Sequence, residues 1–225
     1  MSAKKTLEDQ QIKELKRHRR RTLAALVKKI YLLNRKKQRT EVNNLICEEF
    51  TKLGGVYIKF LQGVLLQSSL MRDWQSADRL KIFENLDSEP VDIQAVLKKE
   101  LSAEKLAQLG GISPTPFAAG SFGQVYYATL HDGTQVIVKL LRPLVRETLA
   151  YDLKLLGLFS RAFASKLSKN VDLDVINAID EFKRATMRET DYVEEARFGN
   201  ELWEAYKDND QFIFQKLTPN SVLQI

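Results

Sequence analysis

The sequence predicts an α+β chain: a long helical N-terminal part, then a small antiparallel sheet accompanied by further helices. Three observations carry this. Residues 1–40 contain neither glycine nor proline and few strand formers. The turn-rich stretch GGISPTP at 110–116 then changes the character of the chain. Beyond it, two strand-like runs flank Asp132-Gly133, the dipeptide that favours a tight hairpin turn. With 225 residues, 44% hydrophobic and 28% charged, the chain can bury a core as one large domain or two smaller ones.

The elements follow in order. Leu23, Leu26, Val27, Ile30 and Leu33 fall at helical spacing, an apolar stripe beneath a basic coat. That stripe either docks on the body of the protein or lies on a membrane. A second helix is expected from Val42 to about Met71, kinked near Gly54-Gly55, and Asp87-Ser-Glu-Pro90 breaks the pattern. VDIQAVLKKELS (91–102) and SAEKLAQL (102–109) read as short amphipathic helices, the second capped by Ser102. GGISPTP reads as a linker. QVYYATL (124–130), the turn HDGT (131–134) and QVIVKLL (135–141) form a hairpin that Arg142-Pro143 ends. Two long helices are expected over 144–167 and 172–206, and a second hairpin over QFIFQKL, TPNS and VLQI. The domains expected are 1–40, a basic amphipathic helical segment; 41–109, a helical extension; and 110–225, the lobe carrying the sheet.

Charge is uneven. The net charge is +6, and lysines and arginines crowd KELKRHRRR (13–21), Lys28-Lys29 and RKKQR (35–39). Such clusters suit a solvated helix face or an anionic partner. No aromatic residue interleaves them before Tyr31, which argues against nucleic acid and leaves an anionic membrane surface or lipid as the partner for 13–39. The single cysteine, Cys47, excludes an intrachain disulfide and, with neither His18 nor His131 near it in sequence, reads as a buried hydrophobe. No apolar run approaches the roughly eighteen residues a membrane span needs. The expectation is a cytoplasmic chain, peripheral to a membrane at most, without a transmembrane span or secretory signal.

The chemistry concentrates at AAGSFGQV, residues 118–125. A protein-kinase phosphate loop reads G-x-G-x-x-G-x-V, and this one reads A-x-G-x-x-G-x-V. Glycine pairs occur in many turns, so the loop alone is weak. Across the hairpin, however, V-I-V-K ends in Lys139, flanked by apolar residues, and a lysine inside a buried strand is costly unless it meets an anion. Kinases use a strand lysine on the α- and β-phosphates and hold it with a helix glutamate. Here R-E-T-D-Y-V-E-E-A, 188–196, offers that acid. On a regular helix Asp191 and Glu195 share a face while Glu189 points elsewhere, so Glu195 is the expected partner of Lys139, with Asp191 near.

From about Glu41 to Ile225 the chain resembles the UbiB/AarF family of atypical, protein-kinase-like kinases and ATPases, linked to ubiquinone and isoprenoid-lipid metabolism. That resemblance implies a protein-kinase-like N-lobe behind a helical extension. In that family the glycine-rich loop is alanine-rich, A-A-A-S-I-G-Q-V, matched here by Ala118, Ala119, Gly120, Ser121, Phe122, Gly123, Gln124 and Val125. The strand lysine corresponds to Lys139, the E-x-D motif to Glu189 and Asp191, the pairing glutamate to Glu195, and the K-x-G-Q signature to Lys59-Phe60-Leu61-Gln62. The resemblance implies ATP as ligand, with Mg2+ in a full-length protein, and places Lys59 and Gln62 over the nucleotide site, occluding protein substrates. Three departures stand out. Leu61 replaces the signature glycine, Leu65 and Gln67 occupy usually polar positions, and Gly120 replaces the third alanine, easing backbone approach to a phosphate.

No H-R-D-like or D-F-G-like run follows, so the catalytic aspartate and metal-binding residues that phosphoryl transfer needs are missing. The expectation is a lobe without its C-lobe, inactive alone: a piece of a larger enzyme. The alternative is a non-catalytic, pseudokinase-like scaffold with a basic helix on a membrane surface.

Overall fold

The structure, a computed structural model, describes residues 2–65, 91–167, 173–209 and 211. The chain divides into two compact units, Met1–Leu86 with Pro143–Arg184, and Asp87–Arg142 with Ala185–Ile225.

In the first unit α1 (Ser2–Arg35) is followed by α2 (Arg39–Leu53) and α3 (Gly55–Phe60). The expected helix over 1–40 stops at Arg35, where Lys37 takes a left-handed φ of 59° and Gln38 N–H returns to Leu33 O. Leu23, Leu26 and Ile30 are buried, with α2 and α6 (Val145–Leu167) packed against α1. The apolar stripe of the basic helix is thus spent on the protein's own core. On α2, Val42, Ile46, Cys47 and Phe50 form the buried face, confirming Cys47 as core. Gly54 breaks the helix with φ 67° and ψ −169°, a region essentially reserved for glycine, which explains the kink the sequence marks there. Phe50 lies at the centre of an aromatic cluster, its ring 5.7 Å from Tyr57 and 5.2 Å from Phe159. After Phe60 the backbone widens into a π-helical turn, Leu61–Leu65.

In the second unit α4 (Ile93–Glu100) is capped by Asp92, which accepts Ala95 N–H at 3.0 Å. Ser102 caps α5 (Ala103–Gln108), as expected. The glycine stretch read as linker is in part a strand: β1 (Leu109–Ile112) pairs with β3 (Gly123–Leu130). Gly110 permits this, because a Cβ there would stand 3.2 Å from the backbone of Leu130. β2 (Ala118–Ala119) pairs with the other end of β3, and β4 (Gln135–Leu141) completes the predicted hairpin. Tyr126, Leu140, Ile93 and Leu97 form the core beneath the sheet. Alternation then turns Val125, Tyr127, Ile137 and Lys139 to the opposite face.

The long helix expected over 172–206 is two helices, α7 (Leu173–Glu189) and α8 (Tyr192–Tyr206). Thr190 bonds back to Met187 O at 3.0 Å, and Asp191 caps α8 by accepting Glu194 N–H at 3.0 Å. Two strong N-terminal signals in succession, Thr-Asp, end one helix and start the next. The break expected at Asp87–Pro90, position Gln67 and the hairpin after Gln211 lie outside the described residues.

Candidate functional site: a paired lysine beside a glycine turn

β4 carries Lys139 opposite Val125 of β3, next to the turn that precedes β3. Within that turn Gly120 N–H donates to Gly123 O at 2.8 Å. Arg142, immediately after β4, grips the turn twice: its backbone N–H donates to Phe122 O at 2.7 Å and its Nε to Gly120 O at 3.0 Å. Phe122 is buried and anchors the turn, while Ala118 and Gly120 are exposed and Ala119 and Ser121 partly so. A Cβ on Gly120 would meet only Gly123 O, at 4.0 Å, so the space beside that residue is open. Gly123 is the opposite case. A Cβ would overlap the Tyr192 hydroxyl and stand 2.8 Å from Leu140 O.

From α8, Glu195 meets Lys139 with both carboxylate oxygens, at 2.6 and 2.8 Å from Nζ. This is the partner expected from the sequence. Its setting differs from the expectation of a buried cation: the side chains are 41% and 53% exposed. Strand alternation is the reason, since Val138 and Leu140 take the inward positions and leave Lys139 on the open face. The ammonium also lies 4.4 Å from the ring centre of Tyr192, a buried residue that no motif marked. The signal for it was spacing alone, three residues before Glu195 and so on the same side of α8.

The other predicted residues take separate places. Asp191 spends its carboxylate on the α8 cap. Glu189 is exposed at the end of α7; its charge, after burial and the Glu195 charge, helps push the Tyr192 hydroxyl up to about 12. Lys59 on α3 and Gln62 in the π-helical turn are half-buried in the first unit, and Leu61 between them is fully buried. Leucine in the signature's glycine position is therefore a core residue here. No three His, Cys, Asp or Glu side chains gather as a metal-binding group among the described residues, and no described helix is long and apolar enough to cross a membrane.

A lysine on a strand of a small antiparallel sheet, a glutamate that reaches it from a later helix and a glycine turn beside them define a kinase-like lobe. Residues 82–224 match the ABC1 atypical kinase-like domain, well over half of the sequence, and the chain belongs to that family. It is similar to the protein Activity of bc1 complex kinase 3, chloroplastic, of Arabidopsis thaliana, at 31% identity over 78% of this chain and 24% of that one. It is also similar to a probable protein kinase UbiB of Marinobacter nauticus, at 26% identity over 76% of this chain and 32% of that one. The chain thus spans about a quarter to a third of the length of these curated relatives. Among solved structures it resembles that of the Mycobacterium tuberculosis protein Rv3197 in complex with erythromycin, at 24% identity and a TM-score of 0.44 over 79% of this chain and 45% of that one.

Proposed function

We propose that this chain is the nucleotide-binding lobe and helical regulatory extension of a UbiB-like atypical kinase or ATPase acting in ubiquinone or isoprenoid-lipid metabolism. One observation carries the reading: Lys139 is held from behind by both oxygens of Glu195 while standing on the open face of the sheet beside the 118–123 turn. A carboxylate fixes where the ammonium points without removing it from solvent, which is what a cation that receives phosphates requires. Gly120 puts no side chain in the way of the same phosphates as they approach the turn. Ala118, Ala119, Ser121, Phe122 and Val125 shape the rest of the cradle, and ATP is the ligand class. Mg2+ would supply charge neutralisation between the phosphates in the full enzyme. Lys59 and Gln62 belong to the extension, with Glu189 and Asp191 as its counterpart motif.

The test is nucleotide binding by the chain and by Lys139→Ala and Glu195→Gln, measured by calorimetry with ATP and adenosine. The expected result is ATP binding that both substitutions weaken while adenosine binding stays. Equal ATP affinity in all three proteins would overturn the reading.

A second surface follows from α1. Its apolar stripe faces inward, while Lys13, Arg17, Arg20, Arg21, Lys28 and Lys29 remain exposed. Attachment to an anionic bilayer through 13–39 would therefore be electrostatic and lost with salt. Co-sedimentation with phosphatidylserine vesicles at low and high ionic strength tests it; retention that ignores salt would refute it.

A further inference from the structure

We infer that Tyr192 is a positioning residue, locking the glycine turn and the Lys139 ammonium into one geometry; the inference deepens the nucleotide reading and rests on it. Tyr192 opens α8, where the Asp191 cap fixes its backbone. Its ring lies 4.4 Å from Nζ of Lys139 while Glu195, three residues on, holds the same ammonium with both oxygens. The far end of the side chain reaches the turn, because the hydroxyl fills the space a Cβ on Gly123 would need, next to Leu140 O. One buried side chain thus touches the strand cation, the turn and the helix that supplies the carboxylate.

The chemistry separates the two ends. The ring's negative face attracts the ammonium and opposes sliding along the carboxylate. The hydroxyl is a steric stop against Gly123, so glycine at 123 answers to the packing of Tyr192 together with the Leu140 carbonyl. Gly120, three residues earlier, has no such neighbour. Movement of the turn is therefore felt at the cation through one side chain.

Binding of ATP and adenosine, together with the proton resonances of the Lys139 ε-methylene in the unliganded protein, tests this. Tyr192→Leu is expected to weaken ATP about two- to fivefold, the worth of a cation–π contact at an exposed site, with adenosine unchanged. The lysine resonance, moved upfield by the ring, should return to its ordinary position. Tyr192→Phe keeps the ring and loses the stop against Gly123, so it should keep the shifted resonance and lose less ATP affinity than Tyr192→Leu. Equal losses for ATP and adenosine, or a lysine resonance indifferent to Tyr192→Leu, overturn the inference. If Lys139→Ala leaves ATP affinity intact, the nucleotide reading fails and the resonance alone decides the positioning role. Should Tyr192→Leu not fold, Gly123→Ala combined with Tyr192→Phe decides: recovery of part of the lost melting temperature supports the lock, and simple additivity overturns it.

Discussion

Arg19 of α1 and Asp152 of α6 form an ion pair inside the first unit, with Asp152 almost fully buried. Arg19 also donates to Thr148 Oγ1 at 2.9 Å, and the Tyr57 hydroxyl donates to Asp152 at 3.1 Å. One arginine of the basic cluster is therefore turned inward. Burial pushes the Asp152 carboxyl above its ordinary range, while the Arg19 charge and the Tyr57 hydrogen bond pull it down. A raised folded value means stability that is complete below about pH 4 and declines as pH rises through that value. Arg19→Ala removes the countercharge and deepens the decline. The expected cost is about 3 kcal/mol at pH 7, the range for a broken buried pair, shrinking towards pH 4. Urea denaturation of both proteins at the two pH values checks it; a loss independent of pH would refute it.

Lys139 and Glu195 predict the reverse balance. Half-exposed pairs contribute below about 1 kcal/mol to stability, so Glu195→Gln should leave the melting temperature nearly unchanged. Its effect should appear in ATP affinity. A large loss of stability without a change in binding would make the pair structural.

The hairpin is legible in the sequence because it depends on a local pattern, and the partnership of Lys139 with Glu195, 56 positions apart, because kinases pair a strand lysine with a helix glutamate. Asp132-Gly133 sets the turn, and alternation through Val136 and Val138 sets the strand. What stayed hidden depends on contacts between distant residues. Gly110-Gly111 reads as linker until β3 is present to pair with it. Lys139 reads as buried because its apolar neighbours in sequence face both ways once the strand is pleated. Tyr192 carries no motif; its meaning comes from Gly123, sixty-nine positions earlier by residue number, leaving room for its hydroxyl. The helix expected over 172–206 is split at Thr190-Asp191, where the Asp191 side chain caps the second helix by accepting Glu194 N–H, with Glu194 and Glu195 in its first turn.

Gly120 and Gly123 should part company under substitution. Gly120→Ala meets no steric obstacle and should change stability by less than about 1 kcal/mol, in the direction of gain if its backbone suits alanine. A fall in ATP affinity there would report ligand approach alone. Gly123→Ala strikes Tyr192 and the Leu140 carbonyl and should cost about 1–3 kcal/mol, as overpacking does. Thermal unfolding of the two variants distinguishes them, and equal stability would contradict the packing described.

Asp191 allows the helix cap to be separated from any role in phosphate chemistry. Its carboxylate accepts the Glu194 N–H at 3.0 Å, satisfying a donor at the start of α8, the helix that presents Tyr192 and Glu195. Asparagine caps about as well as aspartate, whereas alanine forfeits about 1 kcal/mol. Asp191→Asn should therefore keep the melting temperature and Asp191→Ala should lower it. If the charge also serves the nucleotide, ATP binding in the presence of Mg2+ will fall in both variants, including the stable one. If only the cap matters, Asp191→Asn will bind ATP as the parent does, and the acidic motif reduces to the placement of α8 beneath Lys139.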